Sequence, residues 1–205
     1  MRTISTALLA IAASAVLLLP ATPSQAKPKP AAAASATPAA PLLLASQSEL
    51  GFASQQMGVP FEGRFKKFDA QLSFDPKKPE AGHVAFSVDL GSVSLGDASF
   101  DAELAKPAWF DIKKQNLATF QSSALKALGG GRFAVSGKLN IKGQTRELVV
   151  PLTITQAAGV STAAGSFVIK RLEFKIGDGE WADTSMVAND VQVKFKLAFS
   201  GIAPL

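Results

Sequence analysis

The end of the chain alternates between apolar side chains and polar or small ones at every second position. The apolar members are Val191, Val193, Phe195, Leu197 and Phe199. Successive side chains of a β-strand point to opposite faces of the sheet, so this alternation predicts a strand with one buried and one solvated face. The same alternation recurs through most of the chain after Leu42. The pattern therefore predicts an all-β fold.

Clusters of Gly, Pro and Asp separate the alternating segments and mark turns between strands. The segments give eight predicted strands: Glu49–Met57, Pro60–Phe74, Gly82–Val93, Ala118–Ala127, Arg132–Ile141, Thr145–Thr155, Ser166–Lys175 and Asp190–Phe199. Residues 97–115 lack the alternation and have a helical composition, which predicts one or two short helices there.

Eight antiparallel strands joined by short turns either stack as a sandwich or close into a barrel. Closure removes the exposed strand edges that invite aggregation, so we favour an antiparallel barrel. A barrel of eight strands can enclose one small elongated ligand or fill itself with side chains. The predicted fold by itself leaves the function open.

The first 26 residues resemble a secretory signal peptide. Arg2 precedes an apolar run from Ala7 to Leu19, and small residues surround Ala26, after which we expect cleavage. An uncleaved anchor is the alternative, although the run is shorter than the ~20 residues needed to span a bilayer. Residues 27–41 are rich in Pro and Ala and predict a disordered linker, which leaves 42–205 as one folded domain.

The net charge of +5 overstates the basic character of the predicted domain. Three of the 21 Lys and Arg residues, namely Arg2, Lys27 and Lys29, precede residue 42, whereas all 16 Asp and Glu follow it. Binding to nucleic acid requires concentrated positive charge. A nearly neutral domain predicts no nucleic-acid partner.

Few residues in this chain could carry catalysis or hold a metal. Cysteine is absent, which excludes thiol nucleophiles and thiolate metal sites, and His83 is the single histidine. His83 has the opposite parity to Val84 and Phe86, so we expect it to point outward. The acidic residues from Asp178 to Asp183 match no calcium loop and are typical of a solvated turn. We predict no catalytic residue and no metal ligand, and therefore a protein that is not an enzyme.

All 14 Phe residues follow residue 42, and most fall in predicted strands. Buried aromatics are usually core residues, so a filled barrel that acts through its surface as an interaction or stress-response protein is one interpretation. The other is a hollow barrel that admits a long hydrocarbon, because burial contributes ~0.8 kcal/mol per CH₂ without any polar site. An enzyme dependent on His83 or on the acidic turn is a third and weaker hypothesis.

Several short motifs, taken in order, resemble one known family. They are Met57-Gly58-Val59-Pro60, Gly63-Arg64-Phe65, Leu72-Ser73-Phe74-Asp75-Pro76, Trp109-Phe110-Asp111, Ala118-Thr119-Phe120, Val135-Ser136-Gly137-Lys138-Leu139, Arg171-Leu172-Glu173-Phe174-Lys175-Ile176-Gly177 and Gly179-Glu180-Trp181. Each motif is short, but their order and coverage are specific. In these features the chain resembles the YceI-like family of secreted bacterial lipid-binding proteins.

The resemblance implies an eight-stranded lipocalin-like barrel with a helical segment near 97–115, located in the periplasm. It implies a non-catalytic protein that holds a polyprenyl chain, such as that of ubiquinone or another polyisoprenoid, for transport or storage. It also implies transient contact with the membrane or with membrane redox proteins. The oligomeric state stays open, a dimer included.

Strand parity selects the candidate residues of the predicted apolar tunnel, with two additions that rest on the resemblance, Trp109 and Phe110. The parity candidates are Phe65, Phe68, Leu72, Phe74, Phe86, Val88, Phe120, Leu139, Ile141, Val150, Phe195 and Leu197. Arg64, Arg146 and Arg171 are candidates either for contacting a polar headgroup or for structural pairing, and pairing is the favoured role.

Overall fold

The computed structural model describes residues 40–205, so the predicted signal peptide and nearly all of the predicted linker lie outside the described residues. The described chain forms eleven strands and one α-helix, α1 (Ala98–Leu104). The strands are β1 (Leu42–Leu43), β2 (Glu49–Gln56), β3 (Val59–Phe65), β4 (Phe68–Ser73), β5 (His83–Asp89), β6 (Val93–Ser94), β7 (Leu117–Gly129), β8 (Arg132–Ile141), β9 (Gln144–Ala157), β10 (Val160–Lys170) and β11 (Asp190–Ser200).

The strands form a single curled antiparallel sheet. Its order is β4-β5-β7-β8-β9-β10-β11-β2-β3-β6, and β1 pairs with the end of β11. The backbone ladder stays open where β3 and β4 follow each other in sequence, because within residues 40–205 β3 pairs with β2 and β6 whereas β4 pairs with β5. The all-β class and the antiparallel pairing predicted from the alternation are confirmed.

The prediction of eight strands is wrong in number, because two predicted strands are interrupted. Pro60–Phe74 divides into β3 and β4 at Lys66 and Lys67, whose backbone N–H groups donate to the carbonyl and hydroxyl oxygens of Ser92 instead of a neighbouring strand. Gly82–Val93 divides into β5 and β6, since the Asp89 carboxylate accepts from the Gly91 N–H and starts a 3-10 turn. The very short β1 was not predicted.

The predicted strand Ser166–Lys175 is displaced along the chain. Strand β10 begins earlier, at Val160, and ends at Lys170, where Arg171–Phe174 form a 3-10 turn. Lys175 ends this turn in the left-handed region with φ 55°. The alternation ends at Lys170 because the following residues form a loop across the end of the sheet and not a strand.

The helix falls within the predicted segment, as one helix followed by tight turns. Asp97 is its N-cap, and its carboxylate accepts from the Ser99 N–H and hydroxyl. These hydrogen bonds favour the ionised form and hold the pKa of Asp97 below its usual value. After Leu104 the chain turns back, with the Phe110 N–H donating to the Leu104 carbonyl.

Two loop segments cover the upper end of the sheet, which we define as the end that carries the turns at 57–58 and 142–143. Segment 95–116 contains α1, and segment 171–189 joins β10 to β11. Lys142 connects them, because its ammonium group donates to the carbonyls of Pro107 and Lys175, at 2.5 and 2.6 Å. The lower end carries the turns at 74–82, 130–131 and 158–159.

Three aromatic rings on the inner face lie over glycines of neighbouring strands. A Cβ added to Gly63, Gly137 or Gly165 would fall within 2.3–2.7 Å of ring atoms of Phe52, Phe120 or Phe195, respectively. Glycine within a strand commonly marks such a close approach. The rings are therefore folded down against the sheet, which leaves space in the centre of the curl.

Candidate functional site

The curled sheet encloses an apolar cavity of about 700 Å³. Inward side chains of β2, β3, β4, β5, β7, β8, β9, β10 and β11 form its walls, with Ala70 as the contribution of β4, and Leu104, Trp109 and Ile176 cover its upper end. This volume is in the range of ligand sites, ≈ 300–1,000 Å³. A hollow interior disagrees with the filled barrel on which the interaction-protein hypothesis depends.

Most of the candidate tunnel residues line this cavity. They are Phe65, Phe86, Val88, Trp109, Phe110, Phe120, Leu139, Ile141, Val150, Phe195 and Leu197. Period-two parity brings the strand residues to one face, and segment 95–116 adds Trp109 and Phe110 from above. Their contact with a ligand stays a prediction.

The other three candidates lie outside the main cavity, and their contact with a ligand also stays a prediction. Leu72 and Phe74 line a separate cavity of about 70 Å³ at the lower end, because β4 runs downward from the break at Lys67. Phe68, at the upper end of β4, lines neither cavity and packs against Phe86, with ring centroids 5.9 Å apart. The alternation indicates which face of the sheet these side chains occupy, but it does not indicate how far toward the upper or lower end they lie.

Several cavity residues were missed by the sequence analysis. Phe167 and Ile169 alternate on β10 and line the cavity, so parity could have identified them. Ile176, Trp181 and Val187 belong to the irregular segment 171–189. Their sequence has no period, so only the tertiary fold reveals that they face the cavity.

A pair of tryptophans covers the upper end of the cavity. The ring centroids of Trp109 and Trp181 are 5.5 Å apart. Gly177 allows this packing, since a Cβ there would lie 2.9 Å from Trp109 Cζ3, and its φ of +68° is in the region that favours glycine. The Trp109 indole N–H finds no acceptor among residues 40–205, so Trp109 contributes apolar surface here.

Arg171 is the buried cation that organises this end of the molecule. It is 1% exposed, and its guanidinium donates to five backbone carbonyls, those of Ile176, Gly177, Trp181, Val187 and Ala188, at 2.6–3.1 Å. These bonds use all five N–H donors of the side chain. Burial lowers the pKa of Arg171 from its usual value, since removal from water disfavours the charged form.

The other two candidate arginines lie at the surface. Arg146 is 3.8 Å from a carboxylate oxygen of Glu173, and Arg64 is exposed on β3. Neither lines the cavity. Both Arg171 and Arg146 therefore have structural partners: backbone carbonyls for Arg171 and the Glu173 carboxylate for Arg146.

The cavity reaches the surface beside α1. Four of its lining residues, Gln56, Glu62, Ser99 and Phe100, are exposed, and we call them the mouth. Phe100 is a large apolar side chain that is 59% exposed. Glu62 pairs with Lys194 at 3.0 Å, and Glu103, just inside, pairs with Lys106.

The titratable residues considered for catalysis lie away from the cavity. His83 is exposed on β5, and its Nδ1 is 3.3 Å from the Ser122 hydroxyl, which already accepts from the Val84 N–H. The Asp183 carboxylate accepts from the Ser185 N–H and hydroxyl, and these bonds lower the pKa of Asp183. Within residues 40–205, no three His, Cys, Asp or Glu residues are grouped closely enough to hold a metal ion.

The matched family model is that of the YceI-like domain, and it covers residues 43–199. The chain belongs to the YceI-like family. This match spans the whole of the curled sheet apart from its two ends in sequence, and it confirms the resemblance found in the motifs.

Comparisons with individual proteins support the fold. The crystal structure of BcnA from Burkholderia cenocepacia is 44% identical, with a TM-score of 0.74 over 76% of this chain and 98% of that one. A polyisoprenoid-binding domain from Saccharophagus degradans, implicated in plant cell wall breakdown, is 20% identical, with a TM-score of 0.65 over 79% of this chain and 98% of that one. At this identity the likeness shows the fold alone.

Curated relatives match over a shorter region. A UPF0312 protein of Vibrio cholerae is 31% identical over 106 residues, which are 51% of this chain and 56% of the relative. The match thus spans about half the length of that relative. In the described part of this YceI-like chain, none of the helices is sufficiently long and apolar to cross a bilayer.

We expect Arg171→Met to lower the free energy of unfolding by at least about 3 kcal/mol, because five buried carbonyls lose their donors. Arg146→Met removes the same charge at the surface and should change the free energy of unfolding by less than about 0.5 kcal/mol. Denaturant unfolding at one pH measures both. Equal stability of the two variants would contradict a structural role for the buried guanidinium.

Proposed function

We propose that this protein binds the polyprenyl chain of an isoprenoid lipid in its cavity, for transport or storage, and that it does not catalyse a reaction. The observation that carries the proposal is the apolar cavity of about 700 Å³ with aromatic walls. Each methylene buried there contributes ~0.8 kcal/mol, part of which is offset by ordering the ligand. A long hydrocarbon therefore binds without a dedicated polar site.

The polar groups around the cavity favour a ligand with a neutral headgroup, such as ubiquinone. Among the described lining residues Arg171 is the one cation, and its donors are committed to backbone carbonyls. Glu62 and Glu103, at and near the mouth, are each paired with a lysine, so the described lining leaves no free cation there to attract a phosphate. A quinone or polyprenol head requires no cation.

The direct test is mass spectrometry of an organic extract from the protein purified without detergent. We expect an isoprenoid in stoichiometric amount from the wild type and its loss from Val150→Glu, which places a carboxylate on the buried cavity wall. Val149→Glu is the matched control, because Val149 is the preceding residue on the same strand and is itself 56% exposed. An empty wild-type extract, also after incubation with quinones and polyprenols, would refute the proposal.

Circular dichroism on the same samples separates loss of ligand from loss of fold. If Val150→Glu does not fold, Leu139→Glu tests the same cavity at a half-buried position. Equal lipid content in folded wall variants and in Val149→Glu would also contradict binding inside the sheet.

We also propose that the protein acts in the periplasm after removal of its signal peptide. The support is the composition of residues 1–26, with Arg2, the apolar run and the small residues before Lys27. The intact mass of protein from a periplasmic extract should correspond to a chain that begins near Lys27. An intact mass that includes Met1 would contradict cleavage.

Loading by brief contact with a lipid surface is the third part of the proposal. Phe100 at the mouth is exposed, as are Met57, Val59 and Met186 on the adjoining hairpin and loop, where the Met57 N–H donates to the Met186 carbonyl. Exposed apolar side chains grouped at a ligand entrance are typical of such contacts. Binding partners among membrane redox proteins would use the same end of the molecule.

We expect Phe100→Ser to slow the uptake of a quinone from phosphatidylcholine vesicles by a larger factor than it weakens binding at equilibrium. Val168→Ser is the control, since Val168 is exposed to a similar extent, 57%, on the outer face of β10. Stopped-flow quenching of the cavity tryptophans follows uptake. Equal rates in the two variants would place loading elsewhere.

A further inference from the structure

A second, smaller cavity lies at the lower end of the sheet, beyond the main cavity as seen from the mouth. Its volume is about 70 Å³, several times the ~15 Å³ needed for one water. Leu72, Phe74, Leu125 and Ile154 are among its walls. Ser161 is its one polar residue, and the Ser161 hydroxyl already accepts from the Gln156 amide at 2.9 Å. An apolar space of this kind suits a hydrocarbon better than water.

The two cavities are separated by a single layer of side chains. Six residues line both cavities: Val84, Val135, Leu152, Phe195, Leu197 and Phe199. Because each of them faces both spaces, a change of rotamer in this layer would join the two cavities into one tunnel.

Two aromatic residues belong to this layer, Phe199 and Phe195. Phe195 packs against both hydrophobic clusters of the interior, the upper one around Leu90 and the lower one around Val135. Its ring lies over Gly165, where an added Cβ would be 2.7 Å from Phe195 Cζ. The ring therefore occupies space that exists because residue 165 has no side chain.

We propose that the lower cavity receives the far end of the bound polyprenyl chain and that Phe195 sets the longest chain that fits. This inference rests on the proposed function and adds a specificity determinant to it. The ligand then lies with its headgroup at the mouth and its chain directed toward Leu72 and Phe74. Each further buried methylene strengthens binding roughly four-fold, so an isoprene unit that finds no space adds nothing.

The test measures affinity for isoprenoid quinones that differ by one isoprene unit, by quenching of tryptophan fluorescence. In the wild type, affinity should rise with chain length up to a limit and then level off. Phe195→Ala, which opens the layer, should raise the limit by at least one unit. Ala163→Leu fills the lower cavity alone and should lower the limit, with little change for the shortest quinones.

Phe120→Ala is the matched control, because Phe120 also lies over a glycine, Gly137, but lines the main cavity alone. It should weaken binding of all quinones without moving the limit. An unchanged limit in Ala163→Leu would overturn the inference even if Phe195→Ala does not fold. If no quinone or polyprenol binds the wild type, the proposed function itself fails, which is a distinguishable result.

Discussion

The upper end of the sheet depends on the burial of one guanidinium among five carbonyl oxygens. Segment 171–189 has little regular secondary structure, yet it supplies Ile176, Trp181 and Val187 to the cavity. Its carbonyls would otherwise point into an apolar interior without donors, which is costly. Arg171 satisfies five of them at once and so fixes the loop in a single shape. The buried arginine has a structural role, and within residues 40–205 backbone carbonyls take the place of a carboxylate partner.

The hollow interior has an equally local origin. A sheet with many inward phenylalanines would ordinarily fill its own centre, since aromatics bury large areas. Here Phe52, Phe120 and Phe195 each lie over a strand glycine, so their rings form walls. The cost is weaker strand propensity at those glycines, and the gain is an empty apolar volume. The same arrangement keeps the ligand site on rigid strands.

The sequence predicted the walls of the site better than its ends, for a physical reason. Alternation with period two reports which face a strand residue occupies, and it therefore placed Phe86, Phe120 and Val150 on the inner face. It carries no information about height along the sheet, so it could not show that Leu72 and Phe74 line a second, lower cavity. The break at Lys66 and Lys67 depends on Ser92, which is 25 residues away. Trp181 and Arg171 act through loop contacts that no periodic pattern encodes.

A cavity whose interior walls are almost wholly apolar would select a ligand by shape rather than by directional bonds. One methylene more or less changes the affinity of an apolar pocket only modestly, so a smooth tunnel discriminates poorly between related lipids. Discrimination becomes sharper where the tunnel ends, because an isoprene unit that finds no space there adds nothing to the affinity. In this fold Leu72, Phe74 and the layer around Phe195 form the lower end, whereas the cavity reaches the surface at the mouth beside α1. If the proposed binding mode holds, length is selected at the end of the cavity farthest from the mouth, and the headgroup lies at the solvent-facing side.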